Sequence, residues 1–213
     1  MSKGGSTVEL GSAEELPRLT QRFNDAFLLA AEKHGRQTRK STEIPYIAHL
    51  MSVTAIVLEA GGDEELAIAA LLHDVVEDCG GTPILEEVRR RFGDRVAHVV
   101  ADCTDSYTDP KPPWRERKQA YLQHLKGADS DVRLVSAADK LHNAREILKD
   151  IRELGDPVWD RFKGKREGTL WYYRALADEL SRENNWIVRQ LQRVVLELEQ
   201  LARSQQPGGP GRD

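Results

Sequence analysis

The chain has 213 residues, of which 39% are hydrophobic and 31% are charged, and its formal net charge is −4 at pH 7. This composition is typical of one globular domain, and the negative charge argues against general nucleic-acid binding, which needs a concentrated basic surface. No apolar run approaches membrane-spanning length, and the N-terminus lacks the basic flank and apolar centre of a secretory signal. We therefore expect a cytoplasmic protein without nucleic-acid or membrane partners.

The two cysteines do not form a metal-binding or redox motif. Cys79 and Cys103 are far apart in the sequence, and a disulfide framework needs more cysteines than these. We expect both to be free thiols.

Apolar residues recur at helical spacing along most of the chain, and no alternating strand pattern, internal repeat or glycine-rich phosphate loop is present. The sequence therefore predicts an all-α helical bundle. The expected organisation is a flexible N-terminus (1–15), a domain (16–182), a C-terminal helix packed on it (183–203) and a disordered tail (204–213). The predicted helices are 16–33, 46–60, 66–78, 82–92, 95–102, 117–125, 132–154, one that begins near 171, and 183–203.

The helix predicted at 66–78 is apolar in its first half and ends in a polar cluster. His73 and Glu77, and Asp74 and Asp78, are four residues apart, which places all of them on one broad helix face. Burying ionised groups without partners costs several kcal/mol each, so this face calls for a positive charge, and a divalent metal would supply it. The alternative is that the face is the solvated end of a helix.

A second candidate ligand lies on the helix predicted at 46–60, for which Pro45 suits the first position. His49 falls in one row with Val53, Ile56 and Ala60, so its imidazole lies on an otherwise apolar face and should point inward. A single inward histidine is also compatible with a hydrogen-bonded core residue.

The helix predicted at 132–154 carries a third candidate. Asp139 flanks a row of mostly apolar residues, which places it at the margin of the core, and Asn143 lies one turn further on the same face. The basic loop KHGRQTRK precedes the second helix and contains Arg39 and Lys40, which could bind an anion or could be solvated. Segments 104–118 and 159–168 contain many turn residues and are expected to be irregular.

The last predicted helix has a heptad-like apolar row. Packing onto the domain is the expected role of this row, and a dimer contact is the alternative. Its members are Ile187, Leu191, Val194, Leu198 and Leu201.

The order of an inward histidine, a His-Asp pair and a later aspartate resembles the HD superfamily of metal-dependent phosphohydrolases, which are all-helical. The resemblance implies four metal ligands: His49, His73, Asp74 and Asp139. Over about 27–180 the chain further resembles the (p)ppGpp hydrolase domain of RelA/SpoT enzymes, and most of all the small stand-alone alarmone hydrolases. The segments that carry this likeness are HGRQTRK, PYIAH, AALLHDVVED, FGDRV and AADKLHNAR. Leu50 stands where the family usually has proline, and SAADKLHN replaces the common LADRLHN.

The resemblance implies a manganese-dependent 3′-pyrophosphohydrolase that converts ppGpp or pppGpp to GDP or GTP and pyrophosphate. One Mn²⁺ would activate water, with Glu77 and Asp78 orienting or deprotonating it. The residues expected to bind the nucleotide are Arg39, Lys40, Asn143 and Tyr173, with Tyr172 an equal alternative to Tyr173. Other hypotheses are an HD enzyme that acts on NADPH at the 2′ position or on (p)ppApp, and a nucleotide-binding regulator without catalysis.

Overall fold

The computed structural model describes residues 19–107, 110–183 and 185–204, and within these ranges the regular structure is helical. The prediction of an all-α fold is confirmed. The predicted flexible N-terminus and most of the predicted tail lie outside the described residues, except that Ser204 ends the last helix. The helices are α1 (Gln21–Lys33), α2 (Ile47–Glu59), α3 (Glu64–Leu72), α4 (Val75–Cys79), α5 (Thr82–Phe92), α6 (Asp94–Cys103), α7 (Trp114–Gly127), α8 (Ser130–Leu154), a 3₁₀ helix (Asp156–Arg161), α9 (Lys165–Leu180) and α10 (Trp186–Ser204).

Helix α3 lies at the centre of the fold. Every residue from Leu66 to Leu72 is buried, and the helix packs against α1, α2, α6 and α8. A helix that is apolar on all sides is stable only when neighbours cover it completely. The C-terminal end of α3 is therefore held inside the protein, and the polar residues that follow it are buried with it. In the described part of the chain, no helix is long and apolar enough to cross a membrane.

The predicted single helix at 66–78 is wrong, because the chain turns at His73 and Asp74. Helix α3 ends at Leu72 and α4 begins at Val75. Asp74 has φ −98° and ψ −6°, a conformation typical of turns and active sites rather than of helix interiors. The break separates His73 and Asp74 from the helix that carries Glu77 and Asp78, although Asp74, Glu77 and Asp78 all line one cavity.

The residues predicted at the N-terminal ends of α2 and α5 also differ from those in the structure. Pro45 lies outside α2, in an isolated antiparallel bridge with Thr38, and Tyr46 is the N-terminal cap. The bridge closes the basic loop, and the Pro45 carbonyl accepts a hydrogen bond from the Ala48 N–H at 3.0 Å. The cap of α5 is Gly81 rather than Thr82, and its φ of +63° favours glycine.

The two segments predicted to be irregular contain helices that pack on each other. Helix α7 begins at Trp114, and the region 159–168 contains the end of the 3₁₀ helix and the start of α9. The Trp114 ring packs so closely on Gly164 and Gly168 that a Cβ atom there would come within 2.6 Å and 3.0 Å of ring atoms. This long-range contact joins the start of α7 to the start of α9, which local sequence alone did not indicate.

Helix α10 packs against α8 and α9. In the predicted apolar row, Ile187, Leu191, Val194 and Leu198 are buried, and Leu201 is partly buried against the core. Leu196, which lies outside that row, is 55% exposed. A dimer through this helix stays a prediction, and it would have to use residues that remain exposed.

Leu191→Ala should lower the free energy of unfolding by about 2–5 kcal/mol, because Leu191 is 0% exposed and its truncation leaves a cavity. Leu196→Ala on the same helix should change it by less than about 0.5 kcal/mol. Urea unfolding of both variants measures this difference. Equal losses would show that the row does not pack as described.

Candidate metal and nucleotide site

Two imidazoles and two carboxylates converge at the buried end of α3. His49 Nε2 lies 3.3 Å from Asp139 Oδ1 and 3.6 Å from Asp74 Oδ2. His73 Nε2 lies 3.1 Å from Asp74 Oδ2 and 3.7 Å from Asp139 Oδ1. Three elements meet here, since α2 supplies His49, the turn after α3 supplies His73 and Asp74, and α8 supplies Asp139. The sequence-predicted ligands are thus brought together.

The two histidine nitrogens that face the carboxylates have no hydrogen-bond partner among the described residues. His49 Nε2 and His73 Nε2 are both buried, and buried polar atoms are seldom left unsatisfied. Ligand atoms of His49, His73 and Asp74 all lie within 4.8 Å of one another, close enough to share one ion. Imidazole nitrogen and carboxylate oxygen are a donor set for Mn, Fe or Zn, so these residues fit a divalent metal.

The charges of the buried carboxylates also favour a bound cation in this cluster. Although burial disfavours the charged imidazolium, the carboxylates of Asp74 and Asp139 hold the pKa of His73 well above its ordinary value. Burial favours the neutral acid of Asp74, yet the neighbouring His73 and His49 hold its pKa well below the usual range. The two carboxylates therefore favour positive charge beside them, and a divalent ion would supply it.

Neighbouring groups fix the orientation of the candidate ligands. His73 Nδ1 donates to the Ala70 carbonyl at 2.8 Å, which leaves Nε2 free of a proton when the ring is neutral. Tyr46 donates its hydroxyl to Asp74 Oδ2 at 2.5 Å, and His49 Nδ1 lies 2.9 Å from His142 Nδ1. Such contacts set ligand direction and tune metal affinity.

Glu77 and Asp78 on α4 differ in their surroundings. Glu77 accepts from Lys111 Nζ at 2.7 Å and from the Asp105 backbone N–H at 3.2 Å. Asp78 accepts from Gln37 Nε2 at 2.8 Å. Burial raises the pKa of the Asp78 carboxyl, and the nearby charges of Asp74 and Glu77 raise it further, although the Gln37 hydrogen bond opposes this. The surroundings of Asp78 therefore make its carboxylate more basic than an ordinary aspartate.

A cavity of about 360 Å³ opens beside the metal-ligand cluster, and both Glu77 and Asp78 line it. All the residues predicted to contact the nucleotide also line it, and these are Arg39, Lys40, Asn143 and Tyr173, together with the alternative Tyr172. Arg39 Nη2 donates to Asn143 Oδ1 at 2.5 Å, and its guanidinium lies 5.6 Å from the Tyr46 ring centroid. Asn143 in turn donates to Asp139. The basic loop is thus connected to the candidate ligands through one amide.

Several cavity residues were not predicted from the sequence. The cavity-lining residues that were missed are Asp105, Arg117, Lys118 and Lys140. Gln37 was also missed, and it donates a hydrogen bond to Asp78 without itself lining the cavity. Asp105, Arg117 and Lys118 lie in segments expected to be irregular or on the surface, and no local motif marks them. Tyr46 also lines the cavity and was not predicted. Its position three residues before His49, in the segment PYIAH, was the sequence signal that could have indicated it.

Comparison with known proteins identifies the class. The family model described as HD domain matches residues 26–170. The chain therefore belongs to the HD domain family and is a metal-dependent phosphohydrolase.

Several relatives are named for the hydrolysis of guanosine-3′,5′-bis(diphosphate). The chain is 41% identical over 128 residues to the Xenopus tropicalis protein named guanosine-3′,5′-bis(diphosphate) 3′-pyrophosphohydrolase MESH1, a match that covers 59% of this chain and 69% of that protein. The match to the Homo sapiens protein of the same name is 40% identical and covers 55% of this chain and 65% of that protein, slightly less than two thirds. The Aquifex aeolicus guanosine-3′,5′-bis(diphosphate) 3′-pyrophosphohydrolase is 36% identical over 206 residues, which are 88% of this chain but only 29% of that protein.

A solved structure, described as a metazoan orthologue of SpoT that hydrolyses ppGpp and plays a role in starvation responses, has the same fold. It superposes with a TM-score of 0.66 at 30% identity, covering 87% of this chain and 96% of that one. The predicted resemblance to RelA/SpoT-type hydrolases is confirmed.

Tyr46→Phe should weaken Mn²⁺ binding by about 10- to 100-fold, because it removes the hydroxyl that orients Asp74. Burial and the carboxylate of Asp74 raise the pKa of Tyr46, so its hydroxyl stays protonated and remains a donor at any working pH. Calorimetric titration with Mn²⁺ measures the change. Tyr107→Phe, which removes a hydroxyl bonded to the Ala101 carbonyl, is the matched control. Unchanged affinity in Tyr46→Phe would contradict the orienting role.

Proposed function

We propose that the chain is a manganese-dependent (p)ppGpp 3′-pyrophosphohydrolase that converts ppGpp or pppGpp to GDP or GTP and pyrophosphate. The observation that carries the proposal is the convergence of His49, His73, Asp74 and Asp139. In the part of the chain that the structure describes, the two imidazole nitrogens of this cluster have no hydrogen-bond partner. These four residues would hold the ion. Relatives named for this reaction support the choice of substrate. A cytoplasmic location and the absence of nucleic-acid and membrane partners belong to the same proposal.

In the proposed reaction, water attacks the phosphorus attached to the ribose 3′ oxygen. The new P–O bond forms as the bond between phosphorus and the 3′ oxygen breaks, so the attacked phosphorus leaves within pyrophosphate. The proton lost by water goes to a carboxylate, and the 3′ oxygen gains a proton to become a hydroxyl. A bound divalent ion would act as a Lewis acid and lower the pKa of a water molecule.

Asp78 is the proposed proton acceptor. Its raised pKa makes it a better base than an ordinary carboxylate, and Gln37 holds its orientation through a 2.8 Å hydrogen bond. The charge of Glu77 is partly neutralised by Lys111. The proposed role of Glu77 is therefore to orient water and, by accepting from the Asp105 backbone N–H, to hold the residues that follow α6.

The nucleoside part of the substrate is proposed to lie between the basic loop and α9. Arg39 and Lys40 supply positive charge, and arginine can also stack on a purine. Asn143 offers hydrogen bonds to the ribose or a phosphate, and the buried Tyr173 closes the other side of the cavity.

Metal-stripped protein should release no pyrophosphate from ppGpp, and added Mn²⁺ should restore release. Asp74→Ala should stay inactive with Mn²⁺, because a ligand is lost. Ion chromatography of the products from ppGpp, ppApp and NADPH measures this and ranks the substrates. Orthophosphate from NADPH with ppGpp left intact would overturn the substrate choice. Tight ppGpp binding without turnover by Mn²⁺-loaded protein would indicate a nucleotide-binding regulator.

Asp78→Asn should lower kcat by about 100-fold or more while Mn²⁺ is still bound, because the amide accepts no proton from water. Wild-type kcat should fall as the pH is lowered through the raised pKa of Asp78, because the carboxylate must be unprotonated to act as a base. Asp94→Asn, at a side chain that is 88% exposed, is the matched control. Steady-state kinetics combined with metal analysis would contradict the assignment if kcat were unchanged.

A further inference from the structure

The basic loop KHGRQTRK contains two residues that belong neither to the candidate metal ligands nor to the predicted nucleotide contacts, His34 and Gln37. His34 is only 2% exposed, although it lies at the C-terminal cap of α1 where the loop begins. Its Nδ1 lies 2.7 Å from Gln37 Oε1, and Gln37 Nε2 donates to Asp78 Oδ2 at 2.8 Å. We call these three residues the His34–Gln37–Asp78 series. The series connects a buried imidazole to the proposed proton acceptor.

We propose that His34 is a positioning residue for the hydrolysis, because it fixes the orientation of the Gln37 amide and thereby the direction and charge of the Asp78 carboxylate. The inference rests on the proposed function, in which Asp78 takes the proton from water. It assigns a role in the chemical step to a residue that lies in neither the cavity lining nor the metal-ligand cluster.

The orientation of the Gln37 amide is the first step of the argument. An amide can donate through its nitrogen or accept through its oxygen, whereas an ionised carboxylate only accepts. Asp78 therefore requires the nitrogen of Gln37, and the amide oxygen then faces His34 Nδ1, which must carry a proton to donate to it. An unprotonated Nδ1 would instead attract the amide nitrogen and turn the amide oxygen towards Asp78. Two acceptors would then face each other, which disfavours the ionised base.

The surroundings of His34 hold its ring in one direction. The ring stacks on Tyr46 with a centroid distance of 5.1 Å and an interplanar angle of 21°. The Cys79 sulfur lies 3.7 Å and 3.8 Å from the two ring nitrogens. The backbone contributes as well, because the Gln37 N–H donates to the His34 carbonyl and the Tyr46 N–H donates to the Gln37 carbonyl, both at 2.9 Å. The imidazole is therefore fixed at a place from which Nδ1 can orient Gln37.

The hydrogen bond from Gln37 also acts on the charge of Asp78. Burial raises the pKa of the Asp78 carboxyl, and the charges of Asp74 and Glu77 raise it further. The Gln37 hydrogen bond and the Lys111 ammonium lower it, so they favour the ionised form that can accept a proton. Since Gln37 bonds to Oδ2, the same contact leaves Oδ1 to receive the proton of water.

The competing explanation is that His34 only fills space beneath the basic loop. In that case its replacement would lower the unfolding temperature and weaken substrate binding, and changes at His34 and Gln37 would affect kcat independently. A loss of kcat that depends on Gln37, with KM unchanged, distinguishes positioning from space filling.

The kinetic test is a double-mutant cycle, measured as kcat and KM for ppGpp at saturating Mn²⁺. His34→Phe keeps a ring against Tyr46 but removes the donor, so it should lower kcat about tenfold while KM changes by less than about twofold. Gln37→Leu should lower kcat at least as much. The double variant should be within about twofold of Gln37→Leu, because His34 acts through Gln37.

Two further variants supply the rescue and the control. His34→Asn places an amide nitrogen near the position of Nδ1 and should recover most of the kcat that His34→Phe loses. Gln21→Leu removes an exposed hydrogen bond of the same kind, in which Gln21 Nε2 donates to Asp25 Oδ1 at 2.9 Å, and should leave kcat unchanged. Additive losses in the double variant, or equal kcat values in His34→Asn and His34→Phe, would overturn the positioning role.

The tautomer of His34 provides a second test that needs no turnover. Nuclear magnetic resonance of the ¹⁵N-labelled full chain, with the ring signals assigned through bonds from the His34 backbone, should show a proton on Nδ1. An unprotonated Nδ1 would overturn the inference, because His34 could then not hold the amide in the required orientation. This measurement uses the wild type and is independent of whether any His34 variant folds.

The two tests separate this inference from the proposed function. A wild-type protein that leaves ppGpp intact would refute the proposed function, and the tautomer would still decide whether His34 orients Gln37. Hydrolysis of ppGpp with an unchanged kcat in a folded His34→Phe would refute the positioning role alone. If His34→Phe does not fold, an unchanged kcat in Gln37→Leu would refute that role.

Discussion

The structure depends on one electrostatic constraint, which is that two imidazoles and two carboxylates are buried around a position that needs positive charge. His49 comes from α2, His73 and Asp74 come from the turn after α3, and Asp139 comes from α8. Two imidazole nitrogens of this cluster have no hydrogen-bond partner among the described residues. Burying such groups costs free energy unless a cation compensates it. The carboxylates of Asp74 and Asp139 raise the pKa of His73, so they favour positive charge at this position. A divalent ion would supply that charge.

The rest of the fold can be understood as the means of keeping that cluster buried and correctly oriented. Helix α3 is apolar on every side and is covered by neighbouring helices, so its C-terminal end lies deep in the protein. The turn at His73 and Asp74 then directs both side chains toward α2 and α8. Helix α8 supplies Asp139 and also Asn143, which links the ligand cluster to Arg39 in the basic loop. The basic loop and the candidate metal ligands are thus connected by hydrogen bonds through Asn143.

Sequence patterns predicted the parts that local periodicity controls. The inward direction of His49 and the extent of α5 followed from helical spacing and helix-stop residues. The turn at His73 and Asp74 was missed, because an uninterrupted helical pattern carries no mark of a break imposed by tertiary contacts. The close packing of Trp114 on two glycines about 50 residues away was missed for the same reason, since such contacts are not local. Asp105 was missed as well, because its contacts with Glu77 on α4 and Arg117 on α7 arise only from tertiary packing.

The central claim is that these four side chains hold one ion, and anomalous X-ray diffraction from crystals grown with Mn²⁺ tests it most directly. The account predicts a single strong anomalous peak within bonding distance of His49 Nε2, His73 Nε2 and carboxylate oxygens of Asp74 and Asp139. A fully occupied Mn²⁺ site elsewhere in the protein would contradict this claim. The absence of an ion from the cluster at saturating Mn²⁺ would also contradict it.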